Sequence, residues 1–352
     1  MANPRKRDVS LLGIRFMRRR KDFSNMKPRV TVIEPEGPEA WFAALREIAA
    51  VEFVNPDGPV RPEEIDEILA RSAAIVITSA TAISNDQLMA AAGLKLIAKC
   101  GGPPSNIDVG YAARCGVAVS CVPGANTTTI AEYTVMLIIA ALRRFDLQLP
   151  VIRRGGWRSS DSLLGHDLRG ATVGIVGLGA IGREVLDRLV PFGCRLLVYS
   201  PHARDGRPDD GRFSFVETLE EMLPQCDAVT LHCRVNEATR GFFDERLFEM
   251  MKPGSVFVNT ARGALVDEPA LARALENGPL SAAAVDVFQV EPPQSGNPLL
   301  RCGSALLTPH SAGWTAEALR RECRGAVDSV LAFFANRTIP GLLNEDYIRH
   351  LR

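Results

Sequence analysis

The turn Gly177-Leu178-Gly179-Ala180-Ile181-Gly182 spaces three glycines as G-x-G-x-x-G, between the β-branched run Val173-Gly174-Ile175-Val176 and the helical stretch Ile181–Leu189. Spacing alone is a weak signal, because glycine is common in turns. The strand before it and the helix behind it make it specific. Gly177 permits the tight turn, Gly179 lets the backbone approach a pyrophosphate, and Gly182 lets helix and strand pack closely. Ala180 and Ile181 then offer helix N-terminal N–H groups to the anion. The predicted ligand is a nicotinamide dinucleotide. The next strand ends at Ser200, where an acid would bind the adenosine ribose of NAD. With no carboxylate there to repel a 2′-phosphate, His202 or Arg204 could pair with one. The pattern admits NAD or NADP and slightly favours NADP; in the other reading Ser200 binds a hydroxyl and Arg204 is merely solvated.

Three later segments carry reactive side chains: Asn259-Thr260-Ala261-Arg262-Gly263, Asp286-Val287-Phe288-Gln289-Val290-Glu291-Pro292, and Leu307-Thr308-Pro309-His310-Ser311-Ala312-Gly313. Singly, each residue has an ordinary reading. Arg262 could cap a helix, Glu291 be solvated and His310 pack in a core. Each segment, however, follows a predicted parallel strand at its C-terminal end, where open α/β sheets place ligands.

The elements that must position them alternate regularly. Strands are predicted at Val30–Ile33, Val51–Val54, Ala74–Ile77, Leu94–Ala98 and Val117–Val119, with helical spacing at 39–50, 63–70 and 87–92. A second series places strands at Thr172–Val176, Arg195–Tyr199, Ala228–His232, Ser255–Asn259, Ala282–Asp286 and Leu306–Leu307, a six-stranded sheet with helices near 180–190, 217–223, 244–251 and 268–277. Such alternation predicts two doubly wound α/β domains with parallel sheets. A long apolar helix is expected from near Asn126, with capping-box spacing at Thr129–Glu132, and Trp157 is read as a packing anchor. The stretch 315–335 reads as a helix returning to the first domain. The predicted organisation is a basic extension over 1–25, a discontinuous substrate domain over 26–122 and 311–345, and a dinucleotide-binding domain over 123–310.

Composition agrees with a soluble globular protein: 46% apolar and 23% charged residues, with no net charge over 352 residues. Residues 1–25 hold eight Lys/Arg against Asp8 and Asp22, so the remainder carries −6 and offers no bulk attraction for nucleic acid. That extension is read as a disordered tail or an early start before Met26, rather than a targeting signal or a nucleic-acid-binding arm. The run Val135–Leu142 is too short to span a bilayer. The eight cysteines form no CxxC pair and do not cluster with the five histidines, so neither a metal site nor a disulfide framework is predicted and a reducing, cytoplasmic setting is expected.

Taken together, these segments resemble the D-isomer-specific 2-hydroxyacid dehydrogenase family in order and spacing, from residue 29 to about 335. Gly101–Asp108, Pro123–Thr127 and Ala131-Glu132 match as well. The resemblance implies a dinucleotide-binding domain of Rossmann type inserted in a flavodoxin-like substrate domain, and a homodimer touching along the helix near 127–142. It implies that Arg262 anchors and polarises a 2-keto acid, that His310 is the acid/base and that Glu291 is its partner. Thr127, Asp286 and the backbone around Cys233 and Thr260 would contact the cofactor. Gly101 and Gly102 would present N–H groups to the substrate carboxylate. Pro103 and Pro104 have no N–H to offer and stiffen that loop. Phosphoglycerate dehydrogenases place an arginine just after the third strand, where this chain has Thr78-Ser79-Ala80-Thr81, so phosphoglycerate is not the first choice of substrate. Cys233-Arg234 replaces the usual apolar-Pro pair. Formate dehydrogenases share the arginine and histidine but pair the histidine with glutamine, and Glu291 argues against them. The alternative of another class is a dinucleotide-sensing corepressor scaffold with the same fold and little turnover.

Overall fold

The computed structural model describes residues 27–54, 60–78, 81–104, 106–158, 163–201 and 211–351. The basic extension, His202 and Arg204 lie outside the described residues. The chain divides into two compact units, one of residues 1–126 with 315–352 and the other of residues 127–314.

In the first unit, strands β1 (Arg29–Ile33), β2 (Ala50–Val54), β3 (Ala74–Ile77), β4 (Leu96–Lys99) and β5 (Ala118–Ser120) form one parallel sheet in the order β2-β1-β3-β4-β5. This is the flavodoxin-like order, with its switch point between β1 and β3. Strands β3 and β4 are buried at every position, as in a sheet covered on both faces; β3 is a continuous apolar run, and β4 is apolar up to the buried Lys99 at its end. Helices α1 (Leu45–Ile48), α2 (Pro62–Arg71), α3 (Asn85–Ala90) and α4 (Val109–Arg114) connect the strands. Residues 39–50 are not the single helix that their spacing predicts. A 3-10 turn over Glu39–Phe42 is followed by the one-turn α1, because Ala50 already pairs with Arg29 in the sheet. Helix α3 starts at Asn85, ahead of its predicted start, because Ser84 and Gln87 close a capping box.

The second unit contains β6 (Thr172–Val176), β7 (Arg195–Tyr199), β8 (Ser214–Phe215), β9 (Ala228–Leu231), β10 (Val256–Asn259), β11 (Ala282–Val285) and β12 (Ala305–Leu307). The sheet order is β12-β11-β10-β9-β6-β7-β8, all parallel, the doubly wound dinucleotide-binding topology. It has seven strands, not six. The two-residue edge strand β8 is too short to announce itself by periodicity. Helix α5 (Thr127–Leu142) is followed by α6 (Phe145–Arg153), α7 (Ala180–Leu189), α8 (Leu219–Met222), α9 (Glu245–Glu249) and α10 (Glu268–Glu276). The rings of Phe243, Phe248 and Phe257 pack with centroids 4.8 to 5.2 Å apart at the centre of one core layer.

Helix α5 begins at Thr127, so Thr129 lies inside it and is buried rather than capping it; the side chain of Glu132 instead meets Arg188. Trp157 is 72% exposed, not the packing anchor expected of it. Helix α11 (Ala316–Phe334) belongs to the first unit, where Cys323, Ala326, Val327 and Val330 join its core. The crossings fall after Asn126 and after Trp314 rather than after 122 and 310, for local reasons. The Val122 side chain packs on Gly325 of α11, and Arg321 Nε donates to the Ala125 carbonyl at 2.7 Å, which keeps 122–126 with the first unit. Ser311 and Ala312 are held in the second unit by Asp286. Among the described residues, no helix is long and apolar enough to cross a membrane.

Candidate active site

In the second unit, the glycine turn leaves β6 with Gly177 at φ 98°, a conformation that side chains disfavour. A Cβ on Gly177 would lie 2.8 Å from the Cys233 nitrogen, and one on Gly182 would lie 2.2 Å from the Gly177 carbonyl oxygen. These two glycines are required by close packing. Gly179 differs: it caps α7, and a Cβ there would meet nothing within 4 Å. The open space stands before the first N–H groups of a ten-residue helix, those of Ala180 and Ile181, which have no carbonyl partner within the helix. This cradle fits a pyrophosphate. Ser200, at the end of β7, accepts a hydrogen bond from the Leu178 N–H at 3.1 Å and so fastens the turn itself. Beneath the turn, His232 Nε2 bonds to Thr230 Oγ1 at 3.0 Å, and burial pushes the imidazole down to about 3.

His310 follows β12 with φ 51°, an uncommon left-handed conformation for a non-glycine residue that costs on the order of 1 kcal/mol. Asp286, buried at the end of β11, supplies the support. Its backbone carbonyl accepts from His310 N–H at 2.8 Å. Its carboxylate accepts from Thr308 Oγ1 (2.7 Å), Ser311 N–H (2.8 Å) and Ala312 N–H (2.9 Å). Asp286, expected as a cofactor contact, is therefore in the first place the brace of the His310 turn. Tyr133 on α5 adds a hydroxyl contact to Ser311 at 3.2 Å.

His310 Nδ1 lies 2.7 Å from Glu291 Oε2, and Glu291 Oε1 accepts from Phe288 N–H at 3.0 Å. Burial pushes the Glu291 carboxyl up. Against it, the hydrogen bonds from His310 and Phe288, with the charges of His310 and Arg262, hold it below the ordinary carboxylate value. Arg262 is exposed after β10, its Nη1 donating to the Ala261 carbonyl at 2.6 Å. Asn259 shapes that exit, accepting from Ala261 N–H and donating to the Arg262 carbonyl, both at 3.0 Å. A Cβ on Gly263 would fall 1.9 Å from the Phe288 carbonyl carbon, so only glycine lets the Arg262 turn lie against the Glu291 segment.

Among the expected cofactor contacts, Thr260 is buried with its hydroxyl on Thr134 at 2.8 Å, which leaves backbone as what it can offer a ligand. Thr127 opens α5, and Cys233 is half-buried beside Gly177.

In the first unit, Gly101 has φ 87° at the exit of β4. Lys99 Nζ donates to the Cys100 carbonyl at 3.0 Å, and Val122 N–H donates to the Gly101 carbonyl at 2.7 Å. With those carbonyls engaged, the N–H groups of Gly101 and Gly102 point to the opposite sides of their trans peptides. The buried Glu322 carboxyl stands 3.4 Å from where a Gly101 Cβ would be. Burial and the Glu36 charge raise it to about 6, against Lys99, Asn126 and Arg321. Lys99, Glu322, Asn259 and the bracing role of Asp286 carry no pattern that a sequence reading could isolate, since each acts through residues distant in the chain or through a carbonyl.

The doubly wound second unit and its glycine cradle define a dinucleotide-binding protein of Rossmann type. Residues 135–312 match the family described as D-isomer specific 2-hydroxyacid dehydrogenase, NAD binding domain. The chain is 35% identical over 290 residues to D-3-phosphoglycerate dehydrogenase of Archaeoglobus fulgidus, covering 82% of this chain and 54% of that protein. It is 32% identical over 327 residues to glyoxylate reductase of Korarchaeum cryptofilum, covering 92% and 98%. Among solved structures, the TT0316 protein from Thermus thermophilus is similar with a TM-score of 0.82 and 32% identity, over 90% of this chain and 99% of that one. The chain belongs to the D-isomer-specific 2-hydroxyacid dehydrogenase family. It spans about half the length of the phosphoglycerate dehydrogenase and nearly all of the glyoxylate reductase.

Proposed function

We propose that this protein interconverts a D-2-hydroxy acid and its 2-keto acid, with His310 as acid/base, Glu291 as its partner and Arg262 as the carboxylate anchor. The observation that carries this reading is the 2.7 Å contact between His310 Nδ1 and Glu291 Oε2. With Nδ1 engaged, Nε2 is the nitrogen left to exchange a proton with the C2 oxygen. An ionised Glu291 stabilises the imidazolium that donates during reduction and that forms during oxidation. The Arg262 guanidinium can hold a planar carboxylate through two donors. The bound nicotinamide supplies or accepts the hydride. Gly101 and Gly102 are proposed as further donors to the substrate carboxylate, Thr127, Cys233, Thr260 and Asp286 as cofactor contacts, and residues 27–126 with 315–351 as the substrate domain.

NADP is the proposed preference, supported by the missing acid at Ser200. The substrate proposed first is a small 2-keto acid without a phosphate, in line with Thr78 and Thr81 where a phosphate-binding arginine would be useful. The deciding experiment is steady-state reduction of glyoxylate, hydroxypyruvate, pyruvate, larger 2-keto acids and phosphohydroxypyruvate, each with NADH and with NADPH. Turnover of none, together with tight dinucleotide binding, would sink the enzyme reading in favour of a sensing scaffold. A homodimer is proposed through the second unit. Met136 (45% exposed) on α5, Ile152 (54%) on α6 and Trp157 (72%) leave large apolar side chains in water. Light scattering should return twice the chain mass; a monomer at micromolar concentration would overturn this.

A further inference from the structure

Glu291 sits on a long segment between β11 and the 3-10 turn Pro298–Arg301, most of it exposed, with Pro292 and Pro293 unable to donate backbone hydrogen bonds. A carboxylate on such a segment would wander unless something held the backbone beside it. The holding group is Glu268, the first residue of α10, 7% exposed and outside the proposed acid/base pair. Its Oε1 accepts from Gln289 N–H at 2.6 Å, two residues before Glu291. Its Oε2 accepts from Asn297 Nδ2 at 2.7 Å, near the far end of the same segment. Gln289 Nε2 adds a bond to the Val266 carbonyl at 2.5 Å, and Asn297 Oδ1 accepts from Leu299 N–H at 3.0 Å.

We propose that Glu268 is the positioning residue of the acid/base pair: one buried carboxylate clamps both ends of the segment and thereby sets Glu291 against His310. The proposal rests on the reading of that pair given above. It depends on polarity as well as shape, because both partners of Glu268 are donors. A glutamine would accept from Gln289 but turn its NH2 toward the Asn297 NH2. Flipping the Asn297 amide only moves the opposed donors to Leu299 N–H. Changing Asn297 to aspartate alone instead brings two carboxylates together. The double change Glu268→Gln with Asn297→Asp restores every bond with the charge relocated. The new amide accepts from Gln289 N–H and donates to the new carboxylate, which still accepts from Leu299 N–H.

The test is proton NMR of the cofactor-bound protein at neutral pH, following the downfield imidazole N–H signal of a histidine bonded to a carboxylate. Its loss in His310→Gln and in Glu291→Ala assigns it to the pair. Glu268→Gln and Asn297→Asp should each broaden or abolish it, and the double variant should restore it. Should Glu268→Gln fail to fold, Asn297→Asp and the double variant still decide. A signal unchanged in the folded single variants, or one not regained in the double variant, overturns the clamp. Where exchange with water hides the wild-type signal, the His310 ring nitrogen shifts, which distinguish a bonded Nδ1 from a free one, are followed through the same variants and decide in the same way. Turnover of His310→Gln is a separate measurement, so loss of the acid/base reading and loss of the clamp are distinguishable.

Discussion

His310 combines a left-handed backbone with an imidazole nitrogen taken by Glu291, and both features are held by neighbouring groups outside the proposed proton exchange. Asp286 braces the turn, Phe288 N–H orients the Glu291 carboxylate, and Asn259 shapes the turn that ends at Arg262. His310→Gln keeps the polar outline and removes the titrating group. Dinucleotide affinity should be retained while turnover falls by about a hundredfold or more. Fluorescence titration beside steady-state kinetics checks this, and wild-type turnover would remove His310 from the chemistry. Arg262→Ala deletes a charge-assisted contact worth about 1.5–3 kcal/mol, so KM for a keto acid should rise by about ten- to a hundredfold. An unchanged KM would show that another group binds the carboxylate. Arg262, Glu291 and His310 were legible as a set through the resemblance of their strand-end segments to the family, whereas Glu268 reads in sequence as an ordinary acid in the first turn of a helix.

The turn–helix element at Gly177–Leu189 separates two kinds of glycine that look alike in a motif. Gly182→Ala drives a methyl to 2.2 Å from the Gly177 carbonyl oxygen, so the turn must open. A loss of about 1–3 kcal/mol or more is expected, read as a lowered midpoint in urea. Gly179→Ala puts its methyl into open space at φ −74°, so the loss should be no more than the difference between glycine and alanine as an N-cap, about 1 kcal/mol. Dinucleotide binding should nevertheless weaken by about tenfold or more, because the methyl occupies the approach to the pyrophosphate cradle. Equal effects of the two variants on stability would contradict this division. Element boundaries were legible where a run of β-branched residues met a turn. They were not legible for β8, which is two residues long, nor for α1, whose helical spacing continues into residues that the sheet claims.

For the whole molecule, acid is the informative perturbation. Burial holds His232 at about 3, against an ordinary value of 6.5. Between those limits the unfolded chain binds a proton that the folded unit refuses, so stability must fall as pH drops below 6.5, and it goes on falling until about pH 3. The slope is at most about 1.4 kcal/mol per pH unit, lessened by the ring's remaining exposure. Glu291 acts in the same sense over a lower range: its lowered folded-state pKa contributes stability above about 4.5, which is lost as pH falls through the folded value. His232→Gln should make the acid limb shallower by about one proton, measured from urea midpoints between pH 7 and pH 4. An unaltered limb would mean that the imidazole is not held neutral.

Sequence alone determined the parallel α/β character of both units, the glycine turn and the three strand-end segments, because periodicity and glycine spacing are local and follow from backbone sterics. Tertiary structure decided what those segments rest on. The brace at Asp286, the clamp at Glu268, the packing of Gly263 on Phe288 and the exposure of Trp157 all come from residues far apart in the chain. Such contacts leave no periodic trace, since a hydrogen bond to a distant backbone group constrains one residue and not a pattern.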